Sequence, residues 1–192
     1  MKKITLSVAL LLGTITIGTN GVLAAQTDSK ITDGNVGFTS PTDGLKLIEA
    51  ANLDFGNHEI SASDQTYTSE TDTKTTVQDI RGTLEGWTLQ IAQSEQFKKG
   101  TDELKNAQIT LDEADLDKNS TATANVKKAV VLKPTGESTV IMDANPGQGN
   151  GVATADFNTG KASLSVPGAS IKVAGQYKTT LIWSLMDSVK NN

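Results

Sequence analysis

The sequence contains no cysteine, and that absence excludes a disulfide framework, a thiolate zinc site, an iron–sulfur cluster and a cysteine nucleophile. Histidine occurs once, as His58, so almost no imidazole chemistry is on offer. No serine sits in a Gly-x-Ser-x-Gly nucleophile elbow, and the glycine-rich stretch 147–151 lacks the Lys-Ser/Thr that completes a phosphate-binding loop. The paired carboxylates of a glycoside hydrolase cannot be told from surface acids in a chain with 22 acidic residues. Aromatic residues make up only 4%, which makes the two tryptophans, Trp87 and Trp183, conspicuous. These absences point away from an enzyme and away from any resident cofactor.

What is present begins with an apolar segment. Lys2 and Lys3 form a cationic start, residues 4–17 are largely apolar, and Val22-Leu23-Ala24-Ala25 has the small residues of a cleavage site. The run is shorter than the ~20 residues of a membrane-spanning helix and includes Gly13, Thr14 and Thr16. Residues 1–25 are therefore expected to be a secretory signal peptide, and 26–192 a single exported domain with no membrane span after cleavage. The whole chain carries a formal charge of −5, and without Lys2 and Lys3 the remainder carries −7. Such a surface repels phosphate backbones, so nucleic acid is not an expected partner. The C-terminal residues show no hydrophobic tail and no LPxTG sorting motif, so any retention at the cell surface is expected to be non-covalent.

Threonine, serine, glycine and valine crowd the rest of the chain, a composition that favours strands and turns. Residues 177–186 alternate Tyr177, Thr179, Leu181, Trp183 and Leu185 with mostly polar neighbours, and 87–92 place Trp87, Leu89 and Ile91 on one face against Thr88 and Gln90 on the other. Shorter candidate strands are 45–48, 108–111, 129–132, 138–142, 152–157, 162–166 and 171–173. Pro134-Thr135-Gly136, Asn158-Thr159-Gly160 and Pro167-Gly168 punctuate them. The expected fold is all-β, a β-sandwich or open barrel of many short strands. Residues 61–74 and 94–106 fit strands poorly and are expected as excursions from the sheets, the second as a loop or a helical turn.

Two local features invite chemistry and then withdraw it. Asp115-x-Asp117-x-Asn119 resembles the opening of a calcium loop, but Ser120 stands where the turn needs glycine and Val126 where a bidentate glutamate should close the site. A solvated acidic loop is the expectation. His58, in Asn57-His58-Glu59, has no nucleophile or orienting group marked in the sequence and is expected to be structural.

The tryptophans share a setting, Trp87-Thr88-Leu89 and Trp183-Ser184-Leu185. With Asn52-Leu53-Asp54-Phe55-Gly56, the run Asp79-Ile80-Arg81-Gly82-Thr83-Leu84-Glu85-Gly86 leading into the first motif, and Gly175-Gln176-Tyr177 leading into the second, the chain from 36 to 188 resembles the WxL-domain family of Gram-positive surface proteins. Val189 departs from the proline common in the family at that point. The resemblance implies a non-catalytic protein held at the cell wall, binding peptidoglycan, a co-encoded WxL-binding surface protein, or both. It also implies roles for the motif residues Trp87, Leu89, Trp183, Leu185, Asp79, Arg81, Gly86 and Tyr177. An outward-facing adhesin or effector touching host or neighbouring-cell material is the alternative. Within each motif the Trp and Leu share a strand face, so each pair is either core or an exposed platform. Asp79 and Arg81 share a face of an extended segment and are expected to pair and order the approach to Trp87, a ligand contact being the alternative.

Overall fold

The computed structural model describes residues 28–158 and 160–187. The expected signal peptide lies outside them. Residues 28–37 are exposed and form no strand, and Phe38 opens a separate compact unit that holds every element described below.

Among the described residues, every regular element of that unit is a strand. In chain order they are Leu45–Glu49 (β1), Gln65–Thr68 (β2), Thr73–Asp79 (β3), Trp87–Gln93 (β4), Lys98–Lys99 (β5), Asp102–Glu103 (β6) and Gln108–Leu111 (β7). Asp115–Leu116 (β8), Asn125–Val126 (β9), Val130–Val131 (β10), Ser138–Ala144 (β11), Gly151–Phe157 (β12), Ala162–Val166 (β13) and Leu181–Met186 (β14) follow. They make three antiparallel four-stranded sheets, ordered β1-β3-β12-β8, β10-β7-β13-β2 and β14-β4-β11-β9, with β5 and β6 as a separate ribbon. None closes into a barrel, and the class is all-β as expected.

One hydrophobic core serves all three sheets. It takes Val77 from β3, Trp87, Leu89 and Ile91 from β4, Ile109 and Leu111 from β7, Ile141 and Met142 from β11, Phe157 from β12 and Leu164 and Val166 from β13. Period-two alternation aims one face of each strand at this core, and burying side chains of that size contributes about 1.5–3 kcal/mol each.

Several local expectations change in the structure. Residues 61–74 contain β2 and the start of β3, not an excursion. β3 runs down the middle of its sheet, yet its inward residues are Thr75, Val77 and Asp79, so only one apolar side chain advertises it. Residues 94–106 contain the β5–β6 ribbon turning at Gly100, whose φ is +60°, with Phe97 and Leu104 buried on either side of it. Residues 171–173 form no strand, because Lys172 Nζ instead donates to the carbonyls of Pro167, Gly168 and Ser170 and holds the segment in a local wrap. The last strand begins at Leu181, not Tyr177. Residues 177–180 run alongside without forming a ladder: Lys178 and Lys98 of the ribbon exchange backbone hydrogen bonds of 2.8 Å, Ser94 N donates to Thr180 O at 3.0 Å, and Thr179 Oγ1 donates to Glu95 O at 2.6 Å.

Candidate functional site

The two Trp-x-Leu motifs lie on neighbouring strands. β14 pairs antiparallel with β4, which sets Leu185 opposite Leu89 and Trp183 opposite Ile91. Residues directly opposite in an antiparallel ladder share a sheet face, so both tryptophans and both leucines point to the core side. Their surroundings differ. β4 is flanked by β14 and β11, and all seven of its residues are buried, including Thr88 and Gln90 on the face away from Trp87 and Gln93 on the same face as Trp87. β14 is an edge strand, and Trp183 is only half-buried.

Trp87 is sealed by the glycine-rich loop 147–151. Its indole Nε1 donates to Gly149 O at 3.4 Å. Gly149 has φ +84°, and a Cβ there would sit 2.6 Å from that nitrogen, so the close approach requires glycine. The glycine-rich loop that completes no phosphate site is thus the lid on the first tryptophan.

Asp79 and Arg81 form the anticipated pair beyond the end of β3. Arg81 Nε donates to Asp79 Oδ1 at 3.0 Å and Nη2 to Oδ2 at 2.9 Å, a bidentate fork. The same Nη2 donates to Gly86 O at 2.8 Å, immediately before Trp87, and Nη1 to Asp187 O at 3.3 Å, just after the second motif. Burial pushes the Asp79 carboxyl up, but the hydrogen bonds and charge of Arg81 outweigh that and hold it below its usual value. Gly44 makes room: a Cβ there would meet Arg81 Cγ at 2.8 Å. One guanidinium therefore ties together the ends of two motifs far apart in the chain.

Beside β14 opens a cleft of about 1080 Å³. Six rings line it: Phe55, His58, Tyr67, Phe97, Tyr177 and Trp183. His58 stacks on Tyr67 with ring centroids 3.9 Å apart and planes 10° from parallel, and its Nε2 lies 2.5 Å from Phe55 O. Trp183 stands edge-on to Phe157 at 6.3 Å. Tyr177 OH accepts from Val173 N at 2.9 Å, which ties one wall together. The Asn52-Leu53-Asp54-Phe55-Gly56 segment also lines the cleft, turned by Asp54 Oδ1 accepting from Gly56 N at 2.9 Å. Flat rings facing an open cleft, with backbone amides and carbonyls between them, suit a ligand that is apolar on its faces and polar on its rim.

The structure distributes the motif residues over two places. Trp87, Leu89, Asp79 and Gly86 are buried around the lid and the arginine fork, with Leu185 packed partly against the same core. Trp183 and Tyr177 line the cleft, and Arg81 links the two motif ends. Sequence reasoning did not single out Tyr67 or Phe97, and it set His58 aside. Tyr67 lies in a strand too polar to stand out, and its stacking on His58 depends on sheet pairing that no local pattern records. The acids of the calcium-like run meet lysines: Asp115 pairs with Lys161 at 2.7 Å, and Asp117 with Lys74 at 2.7 Å. Those contacts hold both carboxyls below their usual range.

Comparison with protein families finds a match over residues 25–188 to the family described as WxL domain, surface cell wall-binding. Comparisons with curated proteins and with solved structures give no significant match.

Proposed function

Since the chain belongs to the WxL family of cell-wall-binding surface domains, we propose that it is a non-catalytic wall-retention domain that takes peptidoglycan glycan in the cleft beside Trp183. The cleft and its rings carry this reading. Sugar rings present apolar C–H faces and equatorial hydroxyls, and stacked or edge-on aromatics such as Tyr67, His58 and Trp183 match the former while the backbone rim serves the latter. A neutral glycan also suits an acidic chain better than a polyanion does.

Catalysis finds no support in the local chemistry. His58 is occupied by Phe55 O and the face of Tyr67, and no hydroxyl nucleophile is bonded to it among the described residues. The acids Asp79, Asp117, Asp143 and Asp156 are engaged with Arg81, Lys74 or Lys127. The domain then works by binding alone, as an exported protein held without a covalent link, and residues 26–192 act as one functional domain.

The test is co-sedimentation of the purified protein with walls stripped of protein. Wild type is expected to sediment, while Trp183→Ala and Tyr67→Ala lose most of that binding with little change in melting temperature. Sedimentation with untreated walls only would assign recognition to a protein receptor, and soluble glycan fragments released by the pure protein would make it a hydrolase.

A further inference from the structure

The sheets containing β1 and β14 end on the same side of the domain, and that side is treated differently from the other. At the far side β8 and β9 lie against each other. At the near side β1 and β14 leave a groove of about 570 Å³ lined by Leu45, Leu47, Leu185, Met186 and Asp187. Among the described residues β14 pairs with β4 alone, so its other edge presents free backbone donors and acceptors over its six residues.

Natural edges are normally blunted by shortness, charge, proline or a bulge. β8, β9 and β10 are two residues long, β2 is four polar or ring-bearing residues, and β1 carries Lys46, Glu49 and a bulge between Leu47 and Glu49. β14 has none of these devices. Its sequence, Leu181-Ile182-Trp183-Ser184-Leu185-Met186, holds no charge and no proline, and its outward side chains Ile182 and Met186 are 49% and 45% exposed.

We propose that this edge is an interface with a second copy of the chain, the two β14 strands pairing antiparallel about a two-fold axis at Ser184. The occupant follows from self-complementarity. In that register Ile182 of each copy faces Met186 of the other on the outer side, Trp183 faces Leu185 on the core side, and the small Ser184 meets itself at the centre. Apolar residues meet apolar residues at every other position of β14 but Leu181, and no like charges oppose each other. The pairing satisfies the free backbone edge, joins two four-stranded sheets into one, and covers the seam in which Leu45, Leu47 and Leu185 line the groove.

Sedimentation equilibrium of the wild-type protein from micromolar to near-millimolar concentration should show mass rising to twice the monomer value. Ile182→Lys, at an outward position where lysine is a natural edge guard, should hold the mass at one copy with an unchanged melting temperature. Because the chain has no cysteine, Ser184→Cys reads the register directly: oxidation should link it into dimers, while Val131→Cys, exposed on β10 in another sheet, should stay unlinked. A wild-type monomer throughout the range overturns the proposal and leaves the edge to a strand from another protein. Equal linking of the two cysteine variants, or a dimer indifferent to Ile182→Lys, overturns it too.

Discussion

The same three-residue motif occurs twice on adjacent strands and meets two environments. Trp87 lies mid-sheet, with neighbours on both sides and a glycine lid over its ring. Trp183 lies one strand over, at the edge, with its ring on a cleft wall. Chemistry and face match, so position in the sheet, with the lid that closes over the inner strand, separates them. The lesson is that a strand's place in the sheet order decides whether a core-facing aromatic is purely structural or available to a ligand.

The comparison can be broken most forcefully at Trp87. Trp87→Ala should cost about 4 kcal/mol, the scale for emptying a fully buried aromatic site, and urea unfolding should record it; a loss below 1 kcal/mol would mean the lid does not seal the ring. Next comes the tie between the motifs. Arg81→Lys keeps the charge but cannot reproduce the fork on Asp79 while also reaching Gly86 O and Asp187 O, so a loss of about 2 kcal/mol is expected in the same assay.

Trp183→Ala should cost less, about 1 kcal/mol, since part of its surface is already in water. Its signature is optical. An aqueous quencher should reach one component of the tryptophan emission in the folded protein, and that component should vanish in the Trp183 variant while the protected one remains. Uniform protection of both indoles would contradict the asymmetry.

The smallest effect is acidic. Arg81 lowers the Asp79 carboxyl in the fold, so the pair's contribution is complete above the unfolded value of about 3.9 and drains away as pH falls through the lower folded value. Asp79→Asn should flatten that part of the acid limb in a melting-temperature profile from pH 5 downward, with no change of slope near neutrality.

Much of the sheet system was legible in the chain because alternation and burial coincide in it. The ranges 108–111 and 162–166 match β7 and β13 end to end. Legibility failed where inward positions are polar. β3 hides because Thr75 and Asp79 face inward to serve hydrogen bonds, Thr75 Oγ1 accepting from Ala51 N at 2.9 Å and Asp79 receiving Arg81. The burial of β4 left no full trace either: Thr88 and Gln90, on the face away from Trp87, are polar yet buried. At the candidate site, the Asp79–Arg81 pair is two residues apart and so leaves a local trace. The stacking of His58 on Tyr67 joins two segments whose meeting is decided by the fold, and no local pattern announces it.

The strand order also governs the sequence of folding events. β4, near the middle of the chain, gains one flank from β11 and the other from β14, the final strand described. A chain appearing N-terminus first must leave β4 half-paired, and the Arg81 fork without its Asp187 acceptor, until its last segment arrives. Such dependence on distant partners makes for slow, late-closing folding, a property that keeps a polypeptide pliable for as long as any of it is still being delivered.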